Sequence, residues 1–149
     1  MPTIELELNV AAPAARVWEA VTDIERMPEM VESVVSAEVL DGDLTHRTCR
    51  WAVTIQGAIL QWTETELLDA DSFHVRFEQR DGDLDVLLGE WMLTPVDPQL
   101  TTVRIRFEFE IGIPLLAPML DPVAEQAFTR NCEDMLRGIE LSSTVEPAR

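Results

Sequence analysis

The chain predicts an α+β fold: a seven-stranded antiparallel sheet, two short helices between strands 1 and 2, and a long C-terminal helix covering one face of the sheet. Three observations carry this. Ile4 to Val10 alternates apolar and polar residues without a slip, which is the period of a strand with one buried face. After Pro13 the apolar spacing turns helical, and from about Val34 to Gly112 it returns to the strand period. From Pro122 onward it is helical again. With 149 residues and 46% hydrophobic side chains the chain suits one compact domain with its core over residues 3–141 and a frayed tail over 142–149.

Each element has its own signal. Pro13 fits a first helical turn, and Ala14, Val17, Trp18 and Val21 recur at three- and four-residue spacing up to Asp23. A second helix is expected from about Glu25 to Ser33, weakened by Pro28. Turn signals at Asp41-Gly42-Asp43, Gln56-Gly57, Asp69-Ala70-Asp71, Asp81-Gly82-Asp83 and Pro95 to Pro98 then divide the chain into six further strands. In Thr101 to Ile111, Val103, Ile105, Phe107 and Phe109 face one way and Arg104, Arg106, Glu108 and Glu110 the other. Phe73, Val75 and Phe77 oppose His74, Arg76 and Glu78 in the same manner. Such strands make a sheet wet on one side and covered on the other. The cover is the helix from Pro122 to about Leu141, whose stripe holds Val123, Ala127, Phe128, Met135 and Ile139.

Composition excludes several functions. Twenty-eight Asp and Glu against 11 Arg and no Lys give a net charge of −17, so nucleic acid is excluded as a direct ligand and docking on an anionic membrane is disfavoured. Without Lys or Tyr there is neither a lysine Schiff base nor a phenolic acid. No glycine-rich phosphate loop is present. Cys49 and Cys132 stand 83 positions apart, and neither they nor His46 and His74 have metal-site spacing, so no metal is expected. The start, MPTIELELNV, has no basic segment and no long apolar run, which predicts a cytoplasmic protein without a signal peptide.

The stretch Ala11-Ala12-Pro13-Ala14-Ala15-Arg16-Val17-Trp18, followed by Val21-Thr22-Asp23 and Glu25, resembles the first helix of the START-like (SRPBCC) superfamily. The segments Trp62-Thr63-Glu64, Phe77-Glu78-Gln79, Gly82-Asp83-Leu84, Gly89-Glu90-Trp91, Thr102-Val103 and Phe109-Glu110-Ile111-Gly112-Ile113-Pro114 are similar to its polyketide aromatase/cyclase branch. The similarity runs over about residues 3–141. It implies a helix-grip fold, in which a curved sheet wraps the last helix around an internal hydrophobic cavity. It also implies a pocket that folds a poly-β-ketone and promotes aldol cyclisation and dehydration without metal or organic cofactor, using a few polar groups, often an arginine. That chemistry needs a proton acceptor and a donor aimed at the developing oxyanion.

Strand phase nominates the groups. Arg47 shares the apolar phase of Cys49, Trp51, Val53 and Ile55, so its guanidinium either donates to a substrate oxygen inside the cavity or reaches water from an exposed strand end. In the next strand Leu60, Trp62, Glu64 and Glu66 share one phase and Ile59, Gln61, Thr63 and Thr65 the other. If Trp62 points inward so does Glu64, as a proton-moving carboxyl; if not, Gln61 and Thr63 line the cavity, and the acids are a solvated ridge. Trp51, Trp91, Phe107, Phe109, Met119 and Asn131 are expected walls, with Gln79 as a polar end to the Phe73 row. His74 reads as part of a surface charge ladder and His46 as a strand-end residue, while the two cysteines read as small buried apolar groups.

Two functions of different classes fit. The first is a polyketide cyclase in which Arg47 polarises a ketone and Glu64 moves the proton, so that Arg47→Met and Glu64→Gln slow cyclisation while leaving the melting temperature nearly unchanged. The second is a non-catalytic binder or carrier of a small hydrophobic ligand. An acyl carrier protein as delivery partner is disfavoured because such proteins are acidic and this chain repels them. The run Leu115 to Leu120 is either a cavity lid or the surface of a homodimer.

Overall fold

The computed structural model describes residues 2–55, 57–111 and 117–144, the first five of the last segment by their backbone alone. Seven strands occur: β1 (Thr3–Val10), β2 (Val34–Gly42), β3 (His46–Ile55), β4 (Ala58–Asp69), β5 (His74–Gly82), β6 (Val86–Asp97) and β7 (Leu100–Glu110). All pair antiparallel in the order β1-β7-β6-β5-β4-β3-β2. Consecutive hairpins build β2 to β7, and β1 closes on β7. Its first helix, α1 (Ala14–Thr22), therefore begins the passage from one sheet edge to the other.

The outer face is wet. Arg104 and Arg106 project there among Glu5, Glu7 and Glu108 at 3.3–3.8 Å, all of them at least partly exposed. On the inner face Val103, Ile105, Phe107 and Phe109 are buried, as their alternation predicts. The long helix α3 (Ala117–Thr144) lies across them, seating the Phe128 ring 4.9 Å from that of Phe109 and 5.7 Å from that of Phe107. Gly138 lets α3 approach the helical corner, since a Cβ there would stand 2.7 Å from Val31 Cγ2.

Three local expectations are corrected. The second helix is one α-turn, α2 (Met27–Met30), preceded by a 3-10 turn over Ile24–Arg26. Pro28 sits in its first turn, where a missing N–H is harmless, and the backbone becomes extended at Val31. The last helix starts at Ala117 rather than Pro122: Pro118 falls in its first turn, where a missing N–H is harmless, and Pro122 lies inside the helix at the cost of one intrahelical hydrogen bond. It also runs on to Thr144, with Ser143 buried and its hydroxyl donating to the Ile139 carbonyl at 2.6 Å. The rest of the expected tail, residues 145–149, lies outside the described residues, as does the link 112–116. Phe73 leaves the strand row altogether. It takes a left-handed φ of 53° in the turn before β5 and packs edge-on against Trp18 at 5.8 Å.

Candidate functional site

Between the sheet and α3 lies a mostly apolar cavity of about 60 Å³. Trp51 from β3, Trp62 from β4, Trp91 from β6, Phe107 from β7 and Phe128 and Met135 from α3 form much of its wall. Three polar side chains enter it: Glu64, Glu66 and Asn131.

The two acids are there because of strand register. The β3–β4 hairpin pairs Ile55 with Ala58, so Trp51 stands across from Trp62, Cys49 from Glu64 and Arg47 from Glu66. Trp51 and Trp62 stack with ring centres 6.3 Å apart and planes 12° from parallel. Glu64 and Glu66 are both inward and only 4% and 3% exposed, which two carboxylates tolerate only with help. Glu66 has it from Arg47, whose Nε donates to Oε1 at 2.8 Å. Glu64 receives the Trp62 indole N–H at 2.7 Å. Burial pushes the Glu64 carboxyl well above the usual range, the hydrogen-bonded and charged Glu66 beside it pushes the same way, and the Trp62 N–H and the Arg47 charge oppose both without cancelling them. Glu64 is thus the member of the carboxyl pair whose burial makes it hold a proton to higher pH, while Arg47 bonds the other member.

Of the two phases open for this strand, the structure adopts the one that turns Trp62, Glu64 and Glu66 inward. Gln61 consequently points out and is exposed, so it is no wall of the cavity, and Thr63 does not line it either. Arg47 is a second correction. Its side chain is nearly buried, yet it stands beyond Glu66 and borders a different hollow, so it does not present its guanidinium to the cavity. Phe109 is fully buried beneath Phe107 and Phe128 and supports the wall without forming it. Gln79 lies opposite Glu64 in the β4–β5 register, but its amide donates to the Leu84 carbonyl at 2.6 Å and it does not border the cavity. Asn131 does, while its amide nitrogen donates to Ser33 Oγ at 2.8 Å. The Met119 side chain lies outside the described residues. Glu66 is the site residue that phase analysis named without nominating. The two-residue loop signal at Gln56-Gly57 contains the missing step, since such a hairpin pairs Ile55 with Ala58 and counting back sets Glu66 against Arg47.

The hollow that Arg47 borders is a larger outer groove of about 610 Å³ beside α1, the β2–β3 turn and the end of α3. The Arg47–Glu66 pair partitions the two spaces, since Glu66 borders the cavity and Arg47 the groove. Gly42, across the ladder from Arg47, has a φ of +119° and no space for a Cβ against His46 and Arg47. His74 pairs with Glu90 at 2.9 Å on the outer face, and His46 is exposed. Both cysteines are buried with thiols pushed up to about 12, by burial first and, for Cys49, by Glu66 next. No group of metal-binding side chains occurs among the described residues.

Residues 10–136 match the family model described as polyketide cyclase / dehydrase and lipid transport. The chain belongs to that family. Within the polyketide cyclase/dehydrase family, it is 29% identical over 140 residues to the granaticin polyketide synthase bifunctional cyclase/dehydratase of Streptomyces violaceoruber, a match of 87% of this chain but 41% of that one. Its 37% identity to the actinorhodin counterpart of Streptomyces coelicolor runs over 73 residues, 48% of this chain and 23% of the relative. The chain thus spans less than half the length of either. The ribosome association toxin RatA of Vibrio cholerae is 25% identical over 112 residues, 75% of this chain and 77% of its own. Among solved structures, TTHA0849 from Thermus thermophilus superposes with a TM-score of 0.88 at 27% identity, covering 95% of this chain and 97% of that one. In the described residues no helix is long and apolar enough to cross a membrane.

Proposed function

We propose that the protein promotes aldol cyclisation and dehydration of a poly-β-ketone, with Glu64 as the proton-moving group. The observation that carries this reading is a carboxyl buried at the wall of an apolar cavity beside stacked indoles, where burial raises its hold on a proton. Aldol closure takes a proton from the nucleophilic carbon and places one on the ketone oxygen as the C–C bond forms. Dehydration takes a second proton from the adjacent carbon and places one on the departing hydroxyl, which leaves as water. In each step one carboxyl can give to oxygen and take from carbon without net gain or loss. Arg47 is then a positioning residue: its 2.8 Å bond fixes the Glu66 carboxyl beside Glu64. The aromatic walls bring the reacting carbons together.

At about 60 Å³ the cavity is small beside the roughly 300–1,000 Å³ of ordinary ligand pockets, so uptake of a ring-forming chain requires the walls to part. Delivery by an acidic carrier protein stays disfavoured, because the outer groove sets Glu19, Asp23 and Asp43 against Arg16, Arg26 and Arg47 and offers no positive patch. The acidity of the chain likewise argues against carrying over ribosome association from its relative. The test is Glu64→Gln with a supplied poly-β-ketone. Cyclised product should form about 10²–10³-fold more slowly. If the variant cyclises at the parental rate, the cavity is a mould or a carrier for a hydrophobic ligand.

A further inference from the structure

Among the described residues only two buried side-chain polar atoms lack a hydrogen-bond partner, the Trp51 indole nitrogen and Gln79 Oε1. Trp51 lines the cavity and Gln79 does not. The contrast with the neighbouring indole is informative. Trp62 spends its N–H on Glu64, whereas Trp51, stacked 12° from parallel beside it and only 6% exposed, has an N–H with no acceptor. An indole nitrogen donates only and has no freedom apart from its ring, so stacking fixes where its proton points. An enclosed donor left bare costs free energy that an acceptor recovers. The other polar groups at the wall are engaged: Glu66 with Arg47, and the Asn131 amide nitrogen with Ser33.

We propose that the Trp51 N–H is the cavity's oxygen-reading donor, binding the ketone, enol or phenol oxygen of a ring-sized ligand and selecting such molecules over hydrocarbons of equal shape. This rests on the cavity being a ligand site, as the proposed function requires. It also gives the donor role expected of Arg47 to a residue that faces the cavity. A neutral donor stabilises negative charge on oxygen without transferring its own proton, which leaves proton movement to Glu64.

Phenol and toluene differ by hydroxyl against methyl on the same ring and serve as probes for a cavity of this size. Their affinities are measured by titration on the parent and on Trp51→Phe. The phenol-to-toluene affinity ratio should fall about 3- to 10-fold in the variant. In the parent labelled with ¹⁵N-tryptophan, phenol should move the assigned Trp51 indole N–H signal downfield and toluene should not, a readout that stands even if the variant fails to fold. If the ratio is unchanged, or both ligands move the signal alike, Trp51 is a wall and the inference is overturned while the cavity reading survives. If the parent binds neither probe, the cavity reading falls and takes this inference with it.

Discussion

At Glu64 burial outweighs every other influence on the proton, and the sign of the pH dependence follows. The unfolded chain ionises this group near 4.5, whereas the folded protein holds the proton to higher pH. Between those values the native state binds a proton that the unfolded state lacks, so stability is greatest below about 4.5 and falls as pH rises toward the folded value, by about 1.4 kcal/mol per pH unit for one proton. Glu64→Gln removes that slope. The urea midpoint of the parent should therefore decline as pH rises above about 5 more steeply than that of the variant, and parallel profiles would show that Glu64 holds no extra proton in the folded state. Arg47 makes the opposite kind of prediction. Because its bond to Glu66 is nearly buried, Arg47→Met strands a carboxylate and should cost about 3–5 kcal/mol, contrary to the unchanged melting temperature that an exposed or substrate-facing arginine implies. Adding Glu66→Gln should restore most of the loss. A single variant as stable as the parent in denaturant titration would mean that the pair contributes nothing.

Among the elements, the strands were the most legible. The alternation in β7 and β1 placed each side chain on its face, and the shared phase of Trp62, Glu64 and Glu66 was visible in β4 as one of two choices. Phase cannot decide between them by itself, because β4 carries polar residues on both sides; the buried indole stack with Trp51 decides it. Helix starts were less legible, since Pro118 reads as part of a proline-rich link yet stands in the first turn, and Pro122 reads as a helix start yet lies inside the helix. The β2–β3 turn is a place where one residue sets an element's geometry. Gly42 lies at φ +119° with its missing Cβ facing His46 and Arg47, so Gly42→Ala should destabilise the protein by about 1–3 kcal/mol and disturb the Arg47–Glu66 pair. Thermal melting of Gly42→Ala at the parental temperature would show that the turn yields at no cost.

For the molecule as a whole, the layered order of strand, helices, six strands and helix followed from periodicity and turn chemistry. Cavity size did not, because it depends on how far α3 stands from the sheet, and no pattern of apolar residues encodes that distance. The two cysteines offer a way to watch that distance change. Cys49 sits on the sheet and Cys132 on α3 at the cavity wall, and with both thiols near 12 almost no thiolate exists in the closed protein. Alkylation is then gated by opening, and each sulfur times the exposure of its own element. If ligands enter by a lift of α3 from the sheet, iodoacetamide should modify Cys132 faster than the chain unfolds globally, while Cys49 waits for global unfolding. Equal rates, followed by peptide mass spectrometry, would mean that helix and sheet breathe only as one body.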